Sequence, residues 1–225
     1  MFESKYSKVL TVILIIVIVA IVGLLGFLGY DYYQNYIVTK DTSNFVDNFQ
    51  GDVTDGESED NQDKDNANTS DENPFDQIKD SNASTSKTTK TTKTYKGFGV
   101  LGTMEIPKTN FKYPILDKVT KKSIETAVAF LYGSGVNQPG NSVIIGHNYR
   151  NGLFFSNNKK LNIGDKIYIT DNDGKKLTYT IYNKFETTPE DTSFYQRDTA
   201  GKPEVTLSTC TDDSSARLII FAKAD

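Results

Sequence analysis

Residues 9 to 28, VLTVILIIVIVAIVGLLGFL, run for twenty positions without a charge, a density of apolar side chains found nowhere else in the chain. At roughly 1.5 Å per residue a helix of that length spans about 30 Å, the thickness of a bilayer's hydrocarbon core. The run is expected to cross a membrane. A secretory apolar region is usually only about 7 to 15 residues long and ends at a small-residue cleavage site, a pattern foreign to Gly29-Tyr30-Asp31-Tyr32-Tyr33. Residues 9–30 therefore read as an uncleaved signal anchor; the competing reading is a cleaved leader with a long apolar core. Lys5 and Lys8 precede the span and Asp31 follows it. The positive-inside bias then puts residues 1–8 in the cytoplasm and the rest of a single-pass chain outside the cell membrane.

From 31 to 96 the large apolar residues thin out, and Asp, Asn, Ser, Thr and Lys dominate. Such a stretch buries too little surface to offset its ordering entropy, so a flexible, disordered linker is expected, acidic first and Lys/Thr-rich later. Binding of cations or of a basic partner is the alternative role for the acidic part.

From 97 to 225 short apolar runs separated by turn residues give seven candidate strands. They are Val100 to Ile106, Phe111 to Leu116, Val143 to Ile145, Lys166 to Thr170, Lys176 to Glu186, Val205 to Cys210 and Arg217 to Lys223. Pro114 inside the second suggests an edge or a bulge, and Asp173-Gly174 favours a hairpin between the fourth and fifth. One helical pattern stands among them, Lys121 to Leu131, with Ile124, Ala127, Val128 and Leu131 at helical spacing. Many short strands with few helices predict an all-β, closed or nearly closed barrel.

Composition changes this picture in two ways. Lys plus Arg total 25 against 29 acidic residues, a net charge of -4, so no basic excess points to a nucleic-acid partner. One Cys, one His and no Trp exclude an internal disulfide framework and a zinc site built from several Cys and His ligands.

The solitary Cys210 ends the strand Thr206-Leu207-Ser208-Thr209-Cys210, and the solitary His147 follows Val143-Ile144-Ile145-Gly146. Arg217 opens the last strand, so the loop 211–216 makes Cys210 and Arg217 face each other across a hairpin neck. Each has a plain alternative: an inert buried thiol, a surface imidazole, and a salt bridge from Arg217 to Asp212 or Asp213. Together they have a chemical logic. A nucleophilic thiol needs a cationic neighbour, an imidazolium can then protonate a leaving amine, and a guanidinium offers fixed donors to the oxyanion of acyl transfer. No Asp or Asn is marked as an orienter of the imidazole.

TLSTC followed by an Arg at the start of the last strand, a strand-Gly-His element upstream and an N-terminal anchor resemble the sortases, cysteine transpeptidases of Gram-positive cell surfaces. The resemblance covers residues 97–225. It implies an eight-stranded β-barrel, one strand more than the pattern shows, with one or two short helices. It implies that Cys210 attacks the Thr-Gly bond of an LPxTG-like C-terminal sorting signal, with His147 as general acid and base and Arg217 steadying the oxyanion. The partners implied are that sorting-signal peptide and an amine, from a peptidoglycan precursor or a pilin lysine. Ser208 and Thr209 match positions that line the peptide groove. No cofactor is implied, and no carboxylate cluster is marked for calcium.

TLSTC and GHNYRNGLFF resemble class B members, but the stretch from Thr187 to Pro203 is too short for the helix those enzymes insert; the compact domain also suits class D. Asn73-Pro74-Phe75 resembles the lid of pilin-building class C enzymes only as a three-residue match in a biased segment. Two other functions remain for the same residues: a non-enzymatic surface barrel with an inert Cys210, and a cysteine protease that uses water as acceptor.

Overall fold

A computed structural model describes residues 5–51 and 93–225. The rest of the expected linker, with the Asn73-Pro74-Phe75 match, lies outside the described residues. Helix α1 (Lys5–Gly51) runs 47 residues without a break, about 70 Å of helix. This corrects the expectation of a loose tether from residue 31. Asn35, Val38, Thr42, Phe45, Val46 and Phe49 recur three or four apart and form a covered stripe among the described residues of this helix, flanked by half-buried Asp41 and Ser43. Val46 and Phe49 are buried and Thr42 is inaccessible. Phe45 packs edge-on to Tyr95 at 4.9 Å between ring centres. Asp41 accepts a 2.7 Å hydrogen bond from the Tyr95 hydroxyl and pairs with Lys96 at 2.8 Å, while Asp47 pairs with Lys112 at 2.8 Å. Burial, and then the Asp41 carboxylate, push the Tyr95 hydroxyl's pKa far upward. Covering an aromatic and a valine contributes about 1.5–3 kcal/mol each, enough to hold a polar helix segment that composition alone marks as unstructured.

Nine strands are described: β1 (Lys93–Tyr95), β2 (Phe98–Ile106), β3 (Phe111–Leu116), β4 (Val128–Tyr132), β5 (Gly140–Ile145), β6 (Lys166–Asp171), β7 (Lys176–Thr187), β8 (Pro203–Cys210) and β9 (Arg217–Ala224). They are hydrogen-bonded in the order β1-β2-β3-β4-β5-β8-β9-β7-β6, and β2 also pairs with β6. The ring from β2 to β6 thus closes as an eight-stranded barrel, with β1 added outside it. Closure depends on Gly102, where a Cβ would stand 2.4 Å from the Thr170 carbonyl oxygen. All seven strands expected from the sequence are present.

The predicted helix is shorter. Thr120 and Ser123 cap each other reciprocally at the start of α2 (Lys121–Thr126), and Ala127 ends it in an extended conformation. The remainder becomes β4, parallel to β3 through Ile115↔Val128 and Leu116↔Ala129. Pro114 precedes that short pairing by one residue, so its missing N–H costs no bond to β4. Asp171 and Gly174 form the expected turn, with a 3.0 Å bond from the Gly174 N–H to the Asp171 carbonyl.

The core has two parts. Met104, Ile106, Ile144, Ile169, Leu207, Leu218 and Ile220 belong to the main cluster; Val143, Ile145, Phe194, Ile219 and Phe221 form a second. Odd and even positions of β5 and β9 divide between the two clusters, as side chains must on a sheet covered on both sides.

Candidate active site

The face that carries the second cluster also carries the candidate chemistry. In the β8–β9 ladder Thr206, Ser208 and Cys210 oppose Phe221, Ile219 and Arg217. In the parallel β5–β8 ladder Val143 and Ile145 oppose Thr206 and Ser208. Partners opposite each other share a face. Val143, Ile145, Ser208, Ile219 and Phe221 therefore make one surface that ends at Cys210 and Arg217. Continuing the β5–β8 register two residues past Ile145 brings His147 level with Cys210. Two bonds hold that continuation: Gly146 N–H donates to the Ser208 carbonyl at 3.3 Å, and the Thr209 hydroxyl donates to the Gly146 carbonyl at 2.7 Å.

Arg217 turns its guanidinium to the thiol, with Nη1 3.3 Å from Cys210 Sγ. The aspartates that offered a salt bridge have other partners. Asp212 takes Lys159 at 2.6 Å and the Asn148 amide at 2.9 Å; Asp213 takes the hydroxyls of Thr211 and Ser215 at 2.6 and 2.7 Å. The Thr211 and Ser215 hydroxyl bonds hold the Asp213 carboxyl down at about 2. Cys210 itself is neither buried nor fully exposed. A partly exposed cysteine beside a fixed cation has surroundings that suit a reactive thiol.

His147 is half-buried and stacks on Tyr149, ring centres 4.7 Å apart. Burial lowers its pKa from the ordinary value, and the Glu125 carboxylate on α2 offsets part of that. The loop is pinned beyond it by a 3.0 Å bond from the Phe155 N–H to the His147 carbonyl. Asn148 was not singled out by sequence reasoning, yet its amide bridges the Cys210 carbonyl at 3.0 Å to Asp212. Its place directly after the lone His was the available signal.

The two groove candidates separate. Ser208 lies on the Cys210 face between Ile145 and Ile219, whereas Thr209 points to the opposite face and spends its hydroxyl on Gly146. Alternation along one strand puts them on opposite sides, so Thr209 ties β8 to β5 and does not line the face of the thiol.

A wall beside that face comes from the segment 188–202. Phe194 is buried in the second cluster, and its carbonyl and that of Tyr195 accept from the Asn141 amide at 3.1 and 2.9 Å. Arg197 lies 3.7 Å above the Phe221 ring and bonds Glu204 at 2.6 Å, Asn141 at 2.8 Å and Thr206 at 3.1 Å, with the Tyr182 hydroxyl as a further partner. No sequence pattern marks this arginine.

A closed eight-stranded barrel with a partly exposed cysteine beside a guanidinium at a strand end, and an imidazole in the loop that leaves the neighbouring strand, defines a narrow class of β-barrel proteins. The chain belongs to the sortase family: the family model for the sortase domain matches residues 104–225. It is 32% identical over 124 residues to sortase A of Bacillus anthracis, covering 54% of this chain and 58% of that protein. The solved structure of sortase A from Corynebacterium diphtheriae superposes with a TM-score of 0.52 at 30% identity, covering 57% of this chain and 61% of that one. A Clostridium perfringens sortase D5 transpeptidase gives the same TM-score at 28% identity, covering 56% and 79%. The chain thus spans about six-tenths of the first two relatives.

Proposed function

We propose that this protein is a membrane-anchored cysteine transpeptidase of the sortase type, with residues 97–225 as its catalytic domain, acting outside the cell on a sorting-signal peptide. The observation that carries the reading is the 3.3 Å approach of Arg217 Nη1 to Cys210 Sγ, on a face that His147 borders. Cys210 gives its proton to His147, and its sulfur forms a bond to the Thr carbonyl of an LPxTG-like signal. Arg217 donates to the resulting oxyanion. The Thr-Gly C–N bond breaks as the imidazolium protonates the Gly amine, which leaves a thioester on Cys210. An amine from a peptidoglycan precursor then attacks that thioester. Its proton passes through His147 to the departing sulfur, and a new amide joins the protein to the cell wall. Ser208 and the apolar side chains around it suit the bound peptide.

Mass spectrometry of the protein incubated with an LPxTG-type peptide tests the reading. A thioacyl adduct on Cys210 that Cys210→Ala lacks, and a peptide-amine product that rises with added amine, support it. Hydrolysis unchanged by amine points to a protease, and no adduct together with a thiol protected from labelling points to a binding module. Orientation is tested separately. Protease added to intact protoplasts is expected to remove the domain 97–225, and full protection overturns the topology.

A further inference from the structure

Helix α1 carries the apolar run of residues 9–28 and, without interruption, the stripe docked on the barrel. Its first contact above the apolar run reaches the candidate site. The Asn151 amide bonds Asn35 Oδ1 at 3.3 Å, and Asn151 lies four residues after His147. The neighbouring Arg150 reaches Ser214, in the turn after Cys210, at 3.4 Å. Asn35 is seven residues beyond Leu28, a rise of about 10 Å. The interfacial layer beyond the hydrocarbon is roughly 5–8 Å thick on each side, so Asn35 stands within a few ångströms of its outer edge, and any tilt of the helix brings it closer. Between them Tyr30, Tyr32 and Tyr33 are exposed, as befits aromatic groups at headgroup depth. Contacts at Asp41, Val46, Asp47 and Phe49 then hold the same helix over about two further turns, which stops the barrel from swinging about one point.

We infer that α1 is a rigid stem that holds the loop from His147 to Phe155, and the site it borders, against the phospholipid headgroup layer. The inference rests on the membrane reading of residues 9–28. The reaction would take place at the bilayer surface, with phosphate headgroups facing Arg150 and with reactants that arrive by lateral diffusion in the membrane favoured over those that come from bulk solution.

The chain contains no Trp, so a single introduced Trp is a clean reporter. Full-length Tyr149→Trp and Asn48→Trp are reconstituted in phosphatidylcholine vesicles that carry a nitroxide on the headgroup. Residue 48 stands about 20 Å farther along the stem than residue 35. The expected result is loss of most emission from Tyr149→Trp and of little from Asn48→Trp. A short Gly-Ser insertion between Tyr33 and Gln34, which leaves the docked stripe intact, should bring the two values together. Failure of the chain to float with vesicles overturns the membrane reading and this inference with it. Flotation with equal quenching of the two reporters, or an insertion without effect, overturns the inference alone.

Discussion

Cys210 and Arg217 are direct partners in the β8–β9 ladder, and the guanidinium closes the six-residue turn between them by reaching Sγ at 3.3 Å. The proposed nucleophile and the proposed oxyanion donor are thus both set by one register. A planar fork can touch the sulfur and an oxygen bound beside it; an ammonium is a point charge on a flexible stem. Arg217→Lys is therefore expected to keep the fold and lose about 10²–10³ in kcat, with a much smaller change in KM. Near-normal single-turnover acylation of Cys210 in that variant would remove Arg217 from the oxyanion.

The lone imidazole makes a direct titration possible. Burial lowers the folded pKa of His147 below its unfolded value, so between the two values the unfolded chain binds more protons and stability rises with pH. The effect is complete above the unfolded value, near 6.5, and is lost as pH falls from there through the folded one. His147→Gln, neutral at every pH, should flatten denaturation midpoints across that window. The single His resonance should titrate below 6.5, and lower still in Glu125→Gln, because the carboxylate that offsets desolvation is gone. A folded pKa above the unfolded one would contradict the burial argument.

Strands that alternate or stay apolar, together with Asp-Gly punctuation, made seven of the barrel strands legible, and the solitary Cys and His at strand ends marked the candidate site. The misses share one cause: long-range contacts decided them. Val128 to Tyr132 fits helix and strand periods equally over so short a run, and only the neighbours β3 and β5 select the strand. Residues 41–49 hold only Phe45, Val46 and Phe49 as large apolar groups, so composition argues for disorder, yet all three fall on one helical stripe that a barrel surface covers. Arg197 has no local signature because its partners come from β5, β7 and β8.

Arg197 is expected to act as the latch of the segment 188–202. Its pair with Glu204 is mostly covered, with side-chain exposures of 15% and 12%. Removing one member of such a pair strands the other and costs about 3 kcal/mol. Arg197→Met should thus lower the unfolding midpoint, open the segment to proteolysis and raise KM for peptide more than it lowers kcat, since Phe194 would no longer be held against Ile219. Arg197→Met with Glu204→Gln should recover part of the stability by removing the stranded carboxylate. Equal proteolysis of the wild type and the single variant would show that the segment is held by other contacts.

The last residue before the imidazole sets its position through space alone. A Cβ on Gly146 would stand 2.8 Å from Val128 Cγ1 and 2.9 Å from the Phe155 ring, both in the packed core between β4 and the loop after His147. Neither neighbour can retreat freely, since Val128 is inaccessible in β4 and Phe155 is held by its N–H bond to the His147 carbonyl. Gly146→Ala is expected to destabilise the domain by about 1–3 kcal/mol and to shift His147 away from its level with Cys210, so that acylation falls by more than the lost stability explains. Phe155→Leu in the same chain removes the ring contacts and should restore part of both. A Gly146→Ala protein that is folded and acylates at the wild-type rate would show that the backbone here yields, and that the close approach at Gly146 is not what fixes the imidazole.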